Sequence, residues 1–454
     1  MEKQNMKENK MGVMPVAKLL ITMSVPMMLS MLVQALYNVV DSVFVAQLNE
    51  EALTAVSLAF PIQNLMIAVG SGTSVGVNAA VSKALGEKKN EYANRAANNG
   101  LWLSAFSFIA FAAVVLIFGK SFYRIQTSDE LIIKYGIDYV MVVAVMSFGI
   151  FFQMMLERLL QSTGKTIYSM YSQLTGAVIN LILDPILIFG MFGFPRLEVA
   201  GAAIATVTGQ ICGAMFALFL NRRKNKELHI NPFKYRPERS IIGHIYSVGI
   251  PSIIMMSISS IMNFGVNKIL LAFTSTATAV FGVYFKLQSF IFMPIFGLNS
   301  GMIPIVAYNF GARKPKRIVK TVLYSVIFAT SIMIIGCIVF HAIPETLLGF
   351  FNASDTMMEI GVPALKIISW SFLGAGFGII SSSFFQSMGH GFLSLIISVV
   401  RQLAVLLPAA YFLSLQGKLE TIWWAFPIAE VVAAICSAIF VCYVYKKEVA
   451  SMEQ

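Results

Sequence analysis

Long apolar stretches separated by short polar breaks dominate this chain. No Asp, Glu, Lys or Arg occurs in Ala52–Ser82, Ala96–Gly119, Val199–Asn221, Ser240–Asn267, Leu287–Ala312, Thr321–Pro344 or Ile367–Val400. Each run meets or exceeds the about 20 residues a helix needs to cross the hydrocarbon of a bilayer. Several are longer than a crossing requires, which predicts tilted or kinked helices that reach past the membrane surface. The pattern predicts helices over 16–44, 52–82, 94–119, 132–160, 166–190, 199–221, 241–272, 278–307, 318–342, 358–387, 392–415 and 421–445. The expected fold is all-α and integral to the membrane, with twelve transmembrane helices.

Composition agrees: apolar residues make up 57% of the chain and charged residues 12%, where a soluble domain carries about 25% charged. A formal charge of +11 could suggest nucleic acid, but the basic residues gather in alternate loops, as the positive-inside rule requires. Lys83, Lys88, Lys89, Arg95, Arg222, Arg223, Lys224, Arg313, Lys314, Lys316 and Arg317 fall on one side with both termini. Lys120, Arg124, Lys134, Arg196, Lys366 and Lys418 fall on the other. Both termini are therefore expected in the cytoplasm, in a multi-pass protein of the cell membrane with lipids around it and no nucleic-acid partner. The polar Met1–Lys18 and the Gln34, Asn38 and Asp41 behind it do not read as a cleavable signal peptide. The four cysteines lie inside spans without metal-type spacing and read as small core residues, and the four histidines are scattered. No metal site is expected beyond a Na+ ion.

An internal repeat organises the chain, with a spacing of 225 residues, as from Pro26 to Pro251. Asn38 pairs with Asn263, Gly72 with Gly297, Gly76 with Gly301, Gly86 with Gly311, and Gln161-Ser162-Thr163-Gly164 with Gln386-Ser387-Met388-Gly389. Each half holds an even number of spans, so both enter the membrane from the same side and are related by an axis along its normal. The expected organisation is a cytoplasmic tail over 1–15, an N-lobe over 16–221, and a basic linker over 222–240 containing Pro232 and Pro237. A C-lobe over 241–445 and a tail over 446–454 follow. Two pseudo-symmetric six-helix lobes facing a central cleft point to alternating access.

Polar residues at membrane depth are costly and so carry mechanism. On the first helix Gln34, Asn38 and Asp41 recur at i, i+4 and i+7, one face. On the fifth, Gly176, Asn180 and Asp184 follow at i, i+4 and i+8, and the sixth adds Thr206 and Gln210. Two carboxylates, a carboxamide and a hydroxyl form an oxygen-rich cage suited to a hard monovalent cation or to a proton shared between acids. Asp41 also reads as a surface position and Asp184-Pro185 as a helix terminus. In the repeat frame Asp41 falls on Val266 and Asp184 on Ala409, so the acidic site belongs to the first lobe alone. The second half holds Lys268, Lys286, Arg401 and Glu430 in its spans; Lys286 and Arg401 are candidates to line the cleft or to bind Glu430, and Lys268 reads equally as a snorkelling side chain. Pro26 is a candidate hinge, because proline removes a helical hydrogen bond. The paired glycines are read as close helix contacts. Among 26 Met and 36 Phe, residues such as Met256, Tyr37 and Tyr284 join Gln34, Asn38, Asn263, Lys286 and Arg401 as cleft-lining candidates for lipophilic, cationic molecules.

The residues now in view resemble a known family. Val25-Pro26, Asn38-Val39-Val40-Asp41, Ala52–Leu58, Gly72–Gly86, Gln161–Gly164, Asn180–Gly190, Gly201–Thr206 and Pro304–Gly311 are similar to the multidrug and toxic compound extrusion (MATE) transporters, and to their MepA-type bacterial subgroup. The likeness covers essentially the whole chain. It implies a non-enzymatic, monomeric antiporter without cofactor, which exports small-molecule drugs, chiefly organic cations, in exchange for Na+ or H+. It places the cation or proton on Asp41, Asn180, Asp184 and Thr206, with Thr208 as the other threonine.

Rival readings differ in specific features. A major facilitator protein would carry an Asp-Arg signature after its second helix, which Ser82–Lys89 lacks. A flippase for lipid-linked precursors, from the same superfamily, would place more cationic residues in the cleft. An intramembrane enzyme would need His-Glu-x-x-His or a twin-Asp motif, neither of which is found, and the one Gly-x-Ser-x-Gly, at Gly72–Gly76, lies inside an apolar span and not on the strand-to-helix turn that such a nucleophile needs.

Overall fold

The computed structural model describes residues 9–452. Among them there is no strand. Ten helices are long and apolar enough to cross a membrane, and twelve crossings result when two bent pairs are each counted as one. In chain order they are α1 (Val16–Ala46), α2 (Glu50–Gly86), α3 (Asn90–Gln126), α4 (Glu130–Val145 continuing as Phe148–Ser162), α5 (Thr166–Phe189) and α6 (Glu198–Lys224). They continue with α7 (Arg239–Leu271), α8 (Ser275–Gly311), α9 (Pro315–Ala342), α10 (Asp355–Ser369 continuing as Phe372–Met388), α11 (Gly391–Ser414) and α12 (Leu419–Met452).

Most helices outrun the apolar runs that announced them. Hydropathy marks the hydrocarbon, whereas a helix continues through the headgroup layer until its orphan N–H groups are capped. Asn49 caps α2 through Ala52 N at 2.7 Å, and Asp129 caps α4 through Leu131 N and Ile132 N. The repeat reproduces these caps: Thr274, in the frame of Asn49, caps α8, and Ser354, in the frame of Asp129, caps α10. It also reproduces the special backbone positions. Lys88 and Arg313 both have positive φ, of 60° and 52°, and Gly164 and Gly389 both sit near +85° at helix ends, with φ of 81° and 91°. A duplicated chain thus folds by duplicated local chemistry.

The bends of 46° in α4 and 49° in α10 are not visible in the hydropathy. Each contains a serine that turns back on the ladder: Ser147 Oγ donates to Ala144 O at 2.8 Å and Ser371 Oγ to Ile368 O at 2.7 Å. A side-chain hydroxyl that competes for a helical carbonyl is a recognised cause of kinking.

By packing, the chain divides into two compact units, one from Leu29 to Ile250 and one made of the residues up to Met28 with those from Pro251 onward. The boundaries therefore fall inside α1 and α7, beside Pro26 and Pro251, and the 222–240 linker lies within the first of these units. This differs from the sequence-based division at the linker, which had no means of seeing contacts. The glycine pairs supply the reason. In the unit of Pro251 onward, a Cβ on Gly297 would stand 2.5 Å from Met28 Cα, and one on Gly301 would collide with Ser24 of α1. In the other unit, a Cβ on Gly76 would collide with the carbonyl of Ile245 on α7. Backbones approach because these positions lack a side chain. The segment before α1 is also held: Arg317 donates to Met11 O and Met14 O at 2.9 and 2.7 Å, and Asn309 Nδ2 to Met11 O at 3.0 Å.

The apolar core of the Leu29–Ile250 unit runs from Ala52, Ala55 and Met66 through Phe111, Tyr123 and Phe151 to Val199 and Ala203. Its outer helix faces are equally apolar, as at Ile117 and Phe118, and so are Ile335 and Val431 in the other unit. Helices apolar on all sides suit a bilayer, where every backbone group is satisfied within the helix itself.

Candidate functional site

Glycines on α5 and α6 build the frame of the site. A Cβ on Gly209 would lie 2.5 Å from the carbonyl oxygen of Gly176, and one on Gly201 would lie 2.5 Å from that of Leu187. The two backbones are in contact, so side chains beside the glycines must meet. Asn180 Nδ2 accordingly donates to Thr206 Oγ1 at 3.2 Å and to Asp184 Oδ1 at 3.2 Å. α5 runs on through Pro185 to Phe189, which places Asp184 inside the helix and not at its end. Asp184 is fully buried and Asn180 nearly so.

Asp41 arrives from α1 and stands within hydrogen-bonding reach of Asp184. The surface reading of Asp41 therefore fails. Among the described residues, three buried acceptor oxygens here have no hydrogen-bond partner: Asp41 Oδ1, Asn180 Oδ1 and Asp184 Oδ2. Both N–H groups of Asn180 are used, so its amide leaves only an acceptor. Two carboxylates this close repel unless a proton or a cation lies between them. A set of anionic and neutral oxygens with no nitrogen or sulfur donor fits a hard monovalent ion.

Polar aromatic groups surround the acids. Tyr37 is within electrostatic reach of both, and Tyr139 of α4 is within reach of Asp41 while accepting from Gln63 Nε2 at 2.6 Å. Gln34 accepts from Gln173 Nε2 at 3.2 Å, and Gln173 in turn accepts from Ser30 Oγ. Sequence reasoning missed Tyr139 and Gln173, although a polar residue inside an apolar span was the available signal.

The MatE family model matches this chain twice, over residues 26–186 and 251–412. The chain belongs to the MatE family. The two matches begin at Pro26 and Pro251, the residues that set the internal repeat. Among curated relatives, the multidrug export protein MepA of Staphylococcus haemolyticus (strain JCSC1435) is 28% identical over 431 residues, covering 94% of this chain and 93% of that protein. MepA of Staphylococcus aureus (strain N315) is 26% identical over 441 residues, covering 94% of each. Among solved structures, the chain is similar to an outward-facing multidrug resistance MATE family transporter of the MOP superfamily, with a TM-score of 0.90, 25% identity and coverage of 98% and 99%. It is also similar to a MOP superfamily transporter from Pyrococcus furiosus, with a TM-score of 0.91, 25% identity and coverage of 99% of each.

The MatE chain disperses the remaining sequence-derived candidates. Asn38 is exposed on α1, one turn from Asp41, and Met256 and Asn263 are half-buried on α7. Asn263 Oδ1 has no partner among the described residues. Tyr284 does not line a cleft: it is 3% exposed and packs on Phe281, Phe340 and Phe426. Lys286 is exposed, with its ammonium 5.9 Å from the ring of Phe351, and Lys268 is exposed. Arg401 pairs with the buried Glu430 at 3.5 Å, from a π-helical turn at Val400–Leu406. Of the four cysteines, only Cys337 is buried and Cys442 is exposed, so the reading of all four as core residues fails. Hydropathy counts a lipid-facing position and a core position alike.

In the MatE fold the Leu29–Ile250 unit also buries a carboxylate that the sequence reading passed over. Glu157 of α4 is 6% exposed. Its Oε1 accepts from Gln153 Nε2 and from Ser172 Oγ, each at 3.0 Å. The signal was again an ionisable residue within a predicted span.

Proposed function

We propose that this chain is a secondary active multidrug exporter, which moves lipophilic, often cationic small molecules out of the cell in exchange for Na+ or H+ by alternating access. The observation that carries the reading is the meeting of Asp41 and Asp184 beside Asn180 and Thr206, with three acceptor oxygens left without donors. Similarity to MepA, named as a multidrug export protein in Staphylococcus, supports small-molecule drugs as cargo. The distribution of Lys and Arg supports a cell-membrane protein with both termini in the cytoplasm. A monomer suffices, because the acidic site is complete within one chain.

In this reading the coupling ion enters the Asp41–Asp184 pair and removes the repulsion between the two carboxylates. Asn180 orients Asp184 by donating to one of its oxygens, and Thr206 fixes the rotamer of Asn180. Loading then changes how α1 packs near Pro26, which is the hinge, and lowers affinity for the cargo. The exchange follows from linkage: an ion that favours one state of the chain must disfavour ligands of the other.

Dye efflux from proteoliposomes under an imposed Na+ gradient and, separately, an imposed pH gradient tests the coupling. Export that follows at least one gradient and is lost in Asp41→Asn is expected. Undiminished gradient-driven export in that variant would overturn the assignment, and export indifferent to both gradients would favour a lipid-precursor flippase.

A further inference from the structure

Far from the acidic pair, the linker folds back over the end of its own bundle. Asn94 Oδ1 accepts from His229 N and Asn98 Oδ1 from Asn231 N, both at 2.8 Å, and Asn99 Oδ1 accepts from Glu238 N at 2.8 Å. Trp102 Nε1 donates to Pro232 O and Tyr235 O at 3.1 and 3.2 Å. One face of α3 thus holds the linker backbone by its side chains, and backbone groups that would otherwise be orphaned are satisfied. The linker does not close down completely. Beneath it lies a cavity of about 230 Å³, open to the surface, with walls that include Ala105 of α3, Phe152 of α4 and Leu218 and Arg222 of α6, under Pro232 and Phe233 of the linker.

The lining is apolar except for Arg222, and no carboxylate contributes to it. A cationic cargo would find no counter-charge there and would meet Arg222, with Arg223 and Lys224 following on the same helix end. Arg222 lies sixteen residues beyond Thr206 on α6, roughly 24 Å along the helix, so the cavity is separate from the cation site. Its level in the bilayer is marked by Trp102, where the apolar run of α3 begins, and by Phe233, which is 89% exposed. Aromatic residues collect at the headgroup boundary, and basic side chains there attract anionic lipid.

We propose that this cavity is a binding site for an anionic phospholipid of the surrounding bilayer, with an acyl chain between α3, α4 and α6 and the phosphate on Arg222. The apolar walls supply affinity for any acyl chain, and the guanidinium supplies the preference for negative charge. Bound lipid completes the packing between the linker and the bundle, which ties the order of the linker to the composition of the membrane.

Native mass spectrometry of the delipidated full-length chain, titrated with dioleoyl-phosphatidylglycerol against dioleoyl-phosphatidylcholine, tests this. The wild type should retain one phosphatidylglycerol in preference to phosphatidylcholine by about fivefold, the scale expected of one interfacial basic residue. Arg222→Gln, an exposed substitution, should bring the two lipids close to parity. Ala105→Trp should fill the cavity and lose one bound lipid of either kind; Leu218→Trp, on another wall, serves if that variant does not fold. An undiminished preference in Arg222→Gln, an unchanged lipid count in both filled variants, or displacement of phosphatidylglycerol from the wild type by tetraphenylphosphonium would overturn the proposal.

Discussion

Gly209 of α6 faces Gly176 of α5 so closely that a Cβ added to it would stand 2.5 Å from the carbonyl oxygen of Gly176 and 3.2 Å from Cβ of Asn180. The obstacle on one side is backbone, which cannot move aside as a flexible side chain can. Gly209→Ala should therefore push the helices apart, at a cost of about 1–3 kcal/mol by overpacking. The separation should fall on the bond from Asn180 to Thr206. The expected outcome is a lower thermal midpoint in detergent together with weaker gradient-driven efflux. Gly243→Ala, where an added Cβ meets nothing within 4 Å, is the control and should leave both unchanged.

Asn180 gives both of its N–H groups to the site and keeps one acceptor without a partner. Asn180→Ala removes that free acceptor from the oxygen cage, so the apparent affinity for Na+ should fall by roughly 10-fold, about 1.4 kcal/mol. The measurement is the concentration of the driving ion at half-maximal efflux. Asn180→Asp retains the size but adds a third carboxylate beside two others, and it should shift the half-maximal concentration without restoring the wild-type value. An unchanged half-maximal concentration in Asn180→Ala would remove this residue from the cation site.

Arg401 and Glu430 form a partly buried pair through Nη1 and Oε2, in which Glu430 is 7% exposed and its Oε1 has no hydrogen-bond partner among the described residues. Removing one member of such a pair leaves the other charge uncompensated, commonly at about 3–5 kcal/mol, whereas replacing both by apolar groups is far less costly. Arg401→Met should accordingly destabilise more than Arg401→Met combined with Glu430→Leu. Thermal unfolding of the single and double variants decides this, and equal losses in both would show that the pair carries no coupling.

Glu157 ties three helices together, since Ser172 Oγ contacts both Glu157 Oε1 at 3.0 Å and the carbonyl oxygen of Gly213 on α6 at 2.9 Å. One hydroxyl hydrogen cannot serve two acceptors at once, so the network is fully satisfied only when another donor is present. Glu157→Gln supplies N–H donors in the same shape and should hold stability within about 1 kcal/mol, while Glu157→Ala takes the acceptor from Gln153 Nε2, leaves Ser172 only Gly213 and opens a void, and should cost about 2–4 kcal/mol. Thermal midpoints of the two variants separate these outcomes.

Much of this molecule was legible along the chain because it depends on local rules. Hydropathy located all twelve crossings, for a bilayer demands about 20 apolar residues wherever a helix passes. The repeat was legible because Pro26 with Pro251, Gly72 with Gly297, Gly76 with Gly301 and Gly164 with Gly389 recur as letters, whereas the caps, Asn49 with Thr274 and Asp129 with Ser354, repeat a role with different residues. The stripe of Asn180 and Asp184 was legible from helical periodicity, and its pairing with Asp41 and Thr206 could be expected, though not measured. What the chain could not disclose was orientation around each helix. In a membrane helix the lipid face is as apolar as the buried face, so periodicity does not tell them apart, and Tyr284 and Cys442 were misplaced for that reason. The burial of Glu157, the packing of α1 and α7 across the expected lobe boundary and the cavity under the linker all arise from contacts between residues distant in sequence, while the bends at Ser147 and Ser371 come from local side-chain bonds that hydropathy does not register. Only close packing, where one glycine admits a neighbouring backbone and one carboxylate finds another, decides such features.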